Sequence, residues 1–174
     1  MSTRPPFIVS ASELPEHSHV YPQSEEAMGP TRSVGRAAGL VRLGINLQRL
    51  PPGMRSSWPH AESDEEEFVY VIDGDVDAWI DGELHRMVAG DFAAFPAGTG
   101  ISHCFINNST MEALLLVGGE AAKRGNRLIY PLNPSRQTDL SAADWWHDAP
   151  LRKLGAHDGL PDQLRNAKRS GDAA

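Results

Sequence analysis

The chain has 174 residues, enough for one domain with a full core and some less ordered sequence at its ends. Apolar residues make up 40% and charged residues 22%, a composition that folds in water. Against 16 basic side chains stand 23 acidic ones, a formal charge of −7 with no basic stripe, which argues against nucleic acid as a partner; nowhere do about 18 apolar residues run together, which argues against a membrane span. The single cysteine, Cys104, excludes an internal disulfide and a multi-cysteine zinc knot and fits a reducing cytoplasm.

Residues 1–38 are rich in Pro, Ser, Glu and Gly without a sustained period, so they read as an extended arm with one short strand near Phe7-Ile8-Val9. From Leu40 the pattern alternates. Val41, Leu43, Ile45, Leu47 and Arg49 fall on one side, Arg42, Gly44, Asn46 and Gln48 on the other, until Pro51-Pro52-Gly53 stops a strand with one apolar face. Six short strands follow at close intervals: 67–72, 76–80, 83–88, 91–95, 102–107 and 112–117. Asp73-Gly74, Asp81-Gly82, Ala89-Gly90 and Pro96-Ala97-Gly98 punctuate them, and Asp81-Gly82 between two alternating runs predicts a type I′ hairpin.

Many short strands at such spacing predict an all-β sandwich or barrel over residues 39–120. Residues 121–174 are expected as an extension packing on the barrel. Within it Ser141–His147 reads as a helix with Ser141 as N-cap and Asp144 at N3, and the stretch from Asp162 reads as a short helix running into a frayed tail.

Chemistry concentrates in two stretches. Five of the six residues from Glu62 to Glu67 are acidic, directly after His60 and before an apolar run. His60 and Glu62 leave the same face of an extended segment, and Glu67 opens a strand face that continues with Val69 and Val71. A carboxylate beginning an inward apolar face is costly unless a cation or hydrogen-bond partner meets it. Asp64, Glu65 and Glu66 read as a solvated loop, with Glu66 the rival ligand if the register slips by one residue. In the second stretch His103, Phe105 and Asn107 share a face, and Cys104 points away. Two imidazoles with one or two carboxylates suit Fe(II), Mn(II), Ni(II) or Zn(II), and two His with one carboxylate and open positions is the natural Fe(II) pattern.

In these two stretches the chain resembles the cupin family. Gly53, His60-Ala61-Glu62, a four-residue gap, Glu67 and Gly74 follow the first cupin motif, with Glu62 where the family usually has its second His. Gly90, Pro96-Ala97-Gly98, His103 and Asn107 follow the second, with four residues between Gly98 and His103 instead of the usual two. The resemblance covers about residues 40–118 and implies a jelly-roll β-barrel, often a homodimer, holding a divalent metal at the barrel mouth. On this chain the implied ligands are His60, Glu67 and His103, with Glu62 as a fourth ligand or as a general base beside an open position. The implied function is metal-dependent chemistry on a small molecule, as in dioxygenases, isomerases or lyases; the alternative is a non-catalytic module binding a small ligand with a structural metal or none.

The remaining candidates read as structural. His85 sits on a strand surface, His17 and His19 form at most a weak pair in the arm, and His147 and His157 lie beyond the barrel. Cys104 reads as a buried, unreactive thiol. Of Trp58, Trp79, Phe92, Phe95 and Phe105, only Phe105 shares a face with a candidate ligand.

Overall fold

The computed structural model describes residues 4–121 and 123–171. Its strands in chain order are β1 (Thr31–Arg32), β2 (Leu43–Leu50), β3 (Ala61–Glu62), β4 (Glu67–Asp73), β5 (Asp75–Ile80), β6 (Glu83–Val88), β7 (Phe92–Phe95), β8 (His103–Ile106), β9 (Ala113–Glu120) and β10 (Leu128–Ile129). Helix α1 (Val34–Ala37) follows β1, and α2 (Asp162–Gly171) closes the chain. The strands form sheets ordered β1-β2-β9-β4-β7, β6-β5-β8 and β10-β3, and every pairing is antiparallel. This is the all-β architecture that the strand spacing predicts. At the β5–β6 turn, Asp81 and Gly82 both take positive φ, 46° and 90°, as the hairpin there requires.

The core fills the space between the two larger sheets. Val69, Val71, Leu115 and Leu50 from one meet Val76, Ala78, Met87 and Phe105 from the other, and all are buried. Asn107, fully buried just past β8, closes one end: its Nδ2 donates to the carbonyls of Leu50 and Met111 at 2.6 and 2.7 Å, and its Oδ1 accepts from Ser109 N–H at 2.8 Å.

The outward face of the smaller sheet carries Trp79, Cys104 and Ile106, all fully buried because Leu132 and Leu154 of the extension lie over them. The indole N–H of Trp79 donates to the carbonyl of His157, which anchors that stretch of chain over the sheet. Arg55, only 3% exposed, fastens three parts together. It pairs with Glu26 of the arm through Nε and Nη2 at 2.7 and 2.6 Å and donates to the carbonyl of Gly159 at 2.7 Å.

Several local expectations change. Residues 7–9 form no strand: Phe7 and Ile8 stand exposed, and a lone apolar triplet with no partner strand has nothing to pair with. Residues 141–147 form turns and a bridge between Trp145 and Leu128 instead of a helix. The hydroxyl of Ser141 bonds the Asp144 carboxylate at 2.6 Å, and burial of Trp145 and Trp146 decides the path. In β2 the apolar side faces out, while Gln48 and Leu50 are buried. The expected frayed tail beyond Gly171 lies outside the described residues. No helix among the described residues is long and apolar enough to cross a membrane.

Replacing Asn107 by Ala leaves the Leu50 and Met111 carbonyls without their buried donor. The variant should lose about 2–4 kcal/mol of unfolding free energy, read as a lower urea midpoint with an unchanged slope.

Candidate metal centre

The pairing of two backbones builds the site. His60 and His103 form an isolated antiparallel bridge in which each main-chain N–H donates to the other's carbonyl, at 3.2 and 2.9 Å. Residues opposed in this way project to one side, and the two imidazole centroids lie 5.1 Å apart. Glu67, the first residue of β4, stands opposite Phe95 on β7 and Gly119 on β9. The absence of a side chain at Gly119 is required, because a Cβ there would lie 2.5 Å from the carbonyl of Glu66 and 3.2 Å from Glu67 Cγ.

From this frame the carboxylate reaches both rings. Glu67 Oε2 lies 3.2 Å from His103 Nε2 and 3.5 Å from His60 Nε2, and one ligand atom of each residue falls within 4.8 Å of the other two. The far nitrogens set the tautomers: His60 Nδ1 is 2.8 Å from the carbonyl of Trp58 and His103 Nδ1 is 3.4 Å from that of Ile101. A carbonyl only accepts, so each Nδ1 carries a hydrogen and each Nε2 is the nitrogen turned toward Glu67, a ligand atom once it gives up its own proton. Glu67 Oε2 is itself buried, and the partners that face it are these two ring nitrogens. Two ring nitrogens and a carboxylate oxygen converging on one buried point form a seat for positive charge, whether a proton or a metal ion.

A proton is drawn to that seat as a metal ion would be. Burial opposes charge on His60, but the Glu67 carboxylate outweighs it and the ring is pushed up to about 9. Burial likewise opposes charge on Glu67, yet the two imidazoles hold it well below the usual carboxylate range. Burial dominates at His103 and keeps its basicity low.

A cavity of about 100 Å³ opens over the three ligand atoms, lined also by Gln48, Ser57, Val69, Phe105 and Val117. Phe95 stacks flat on His103 with centroids 3.5 Å apart and planes 4° from parallel, which fixes that ring from the core side. The three residues His60, Glu67 and His103 lie together, and Phe105 lines the cavity. Glu62 stands outside the group. Its Oε2 accepts a 2.7 Å bond from Asn126 Nδ2, and burial together with the Glu67 charge pushes its carboxyl up to about 7.

The other acidic residues of the run turn away. Asp64 and Glu66 are exposed, and a carboxylate oxygen of Glu65 accepts from the main-chain N–H of Lys123. Tyr70 and Phe92 face outward, and His17, His19, His85 and His147 are exposed. Cys104 is fully buried, and its thiol is pushed up to about 12 by that burial. Asn126 and a set of aromatic residues beside His60, namely Tyr21, Trp58 and Tyr130, had no motif to mark them; the only signal was aromatic side chains in segments otherwise rich in turns.

Comparison with known proteins gives a match of residues 46–118 to the family described as Cupin domain. The solved structure of a sugar phosphate isomerase of the cupin superfamily from Silicibacter pomeroyi is 32% identical, with a TM-score of 0.64, over 71% of this chain and 80% of that one. A quercetin 2,3-dioxygenase of Bacillus subtilis is 31% identical over 89 residues, 51% of this chain but only 26% of that protein. The chain therefore spans about a quarter of that relative's length. A polyketide cyclase of Streptomyces resistomycificus shares the fold at 17% identity and a TM-score of 0.58, over 84% of this chain and 100% of that one.

A divalent cation offered to the protein tests the register directly. Glu67→Gln should weaken its binding about 10-fold or more, whereas Glu65→Gln should leave it nearly unchanged, both measured by competition with a chromogenic chelator. Equal losses would show that the wrong carboxylate faces inward.

Proposed function

We propose, for a chain that belongs to the cupin superfamily, an enzyme that holds one divalent metal through His60, Glu67 and His103 and acts on a small molecule. The observation that carries this reading is the convergence of the three ligand atoms within 4.8 Å, with each Nδ1 turned to a carbonyl so that each Nε2 faces the common point. The two-nitrogen, one-oxygen set suits Fe(II), Mn(II), Ni(II) or Zn(II). Bound there, such an ion supplies a Lewis acid for a substrate oxygen.

The residues around it divide the remaining work. The Trp58 and Ile101 carbonyls orient the two imidazoles, and the Phe95 ring holds His103 flat. Val69, Phe105 and Val117 give the cavity an apolar wall that excludes water. Glu62, held by Asn126 and close enough to His60 and Glu67 to feel both charges, serves as the carboxylate that takes up and returns a proton. A metal-polarised oxygen with a proton-carrying carboxylate beside it fits isomerase- or lyase-type chemistry on a small carbonyl compound, and the likeness to the sugar phosphate isomerase supports that class. The second reading is oxygen chemistry, which the two-His, one-carboxylate pattern and the likeness to the quercetin dioxygenase favour.

The cavity of about 100 Å³ has room for the reacting end of such a molecule. The working form is a homodimer in the cytoplasm, docked through the outward face of the larger sheet, where Leu43, Tyr70, Ile72 and Phe92 are exposed and Tyr70 and Phe92 stand opposite one another.

Metal analysis of protein purified without added metal tests the reading. Wild type should carry close to one equivalent of a first-row divalent metal, and His103→Ala should carry almost none. A metal-free wild type that still binds a small ligand would instead establish the non-catalytic module. Between the two chemistries, deuterium uptake from solvent by small carbonyl compounds without oxygen consumption supports proton transfer, and oxygen consumption overturns it.

A further inference from the structure

The two histidines at the centre are held by different parts of the molecule. His103 lies on β8, buried in the barrel and stacked on Phe95. His60 lies outside any strand, and its surroundings come largely from the two segments that flank the barrel in sequence. Tyr130, just after β10 in the extension, stacks on the His60 ring with centroids 5.6 Å apart and planes 27° from parallel. Tyr21, from the arm, stacks on Trp58 at 4.3 Å and 13°, and its hydroxyl accepts the main-chain N–H of Trp58 at 3.3 Å.

Trp58 is the residue whose carbonyl takes the Nδ1 hydrogen of His60, so fixing its peptide fixes the imidazole. The guanidinium of Arg136 caps both tyrosines, with its carbon 5.3 Å from the Tyr21 centroid and 5.4 Å from that of Tyr130. Trp145 stacks on the outer side of Tyr130 at 6.4 Å. Tyr21, Trp58, Tyr130 and Trp145 are all buried, which makes this a second small core, separate from that of the barrel.

We infer that this clasp of arm and extension is part of the metal centre, with Tyr130 and Tyr21 as positioning residues that set the angle of His60. The inference rests on the metal reading above. A metal–nitrogen bond is directional, and a ring free to swing on its Cβ presents its lone pair to the ion for only part of the time; outer residues that hold it raise affinity and sharpen geometry. In the barrel the strand ladder provides this restraint for His103, and at His60 the stacked ring and the held carbonyl provide it.

Cobalt(II) serves as the probe, because its visible absorption reports ligand geometry apart from any activity. Tyr130→Ala should bind Co(II) about 10-fold more weakly than wild type and shift its visible bands. Tyr130→Phe, which keeps the ring over His60, should restore both. Tyr21→Phe, which keeps the ring but removes the acceptor for Trp58 N–H and the hydroxyl contact with Tyr130, should shift the bands with about a threefold loss of affinity. Leu115→Ala, a cavity in the barrel core away from the clasp, should lower the melting temperature yet leave the Co(II) spectrum as in wild type.

A wild-type Co(II) spectrum retained in both Tyr130→Ala and Tyr21→Phe overturns the inference and leaves the metal reading standing. A spectrum altered as much by Leu115→Ala as by Tyr130→Ala also overturns it, because general loosening would then account for the effect. A wild type that binds no Co(II) overturns the metal reading and this inference with it.

Discussion

A carboxylate at the edge of an apolar interior needs positive charge or hydrogen-bond donors facing it, and Glu67 faces two imidazoles whose remaining nitrogens are already committed. That one constraint reaches far into the fold. It requires His60 and His103 to oppose one another, which their reciprocal main-chain bonds secure. It also requires β4 to keep its register between β7 and β9, because a slip by one residue would exchange Glu67 for Glu66 or Phe68 and turn the valine face outward. The register is protected by what it buries: Val69 and Val71 enter the core on the same face, so losing the site would also mean losing the core.

The same arrangement explains why the barrel carries two long flanking segments. One sheet's outer face, with Trp79, Cys104 and Ile106, is apolar and covered by the extension. The opposite sheet's outer face is equally apolar but only partly covered, at the edge of β2, where the close approach of Gly35 to Ile45 seats α1. The buried pair Arg55–Glu26, extended to the Gly159 carbonyl, links arm, barrel and extension at a point where breaking one partner would leave a charge stranded. Arm and extension then meet again in the aromatic core beside His60.

Period and motif made the barrel legible. Alternation marked seven of its strands, Asp81-Gly82 marked the hairpin, and the parity of His103, Phe105 and Cys104 gave the inward and outward faces that the structure has. What stayed hidden was hidden for physical reasons. Strands β3 and β10 are two residues each, too short for alternation to register, and they exist because they pair with one another. The alternation of β2 could not say which face is inward; the buried face turned out to carry Gln48, satisfied by the carbonyls of Gly29 and Ser56. Ser141–His147 has the cap residues of a helix, but two tryptophans that reach buried sites outweigh a local preference. Tyr21 and Tyr130 lie 109 positions apart, and no local pattern links them.

The acidic run after His60 then acquires a clear division of labour. Five carboxylates within six residues repel one another, and a barrel alone offers few cations or donors at its rim to hold them. The extension brings them. Lys123 gives its main-chain N–H to Glu65 and its ammonium to the Asp64 carbonyl and the Glu120 carboxylate, while Asn126 holds Glu62. Ser63 exchanges bonds with Arg127 through both its backbone and its hydroxyl, so β3 is clamped over its length. Glu67 is left as the carboxylate of the run whose buried oxygen is met by the two imidazoles and points between them. The extension thus directs the charge of the loop as well as covering the barrel, and removing it would expose apolar surface and release the repulsion that now favours a single inward ligand.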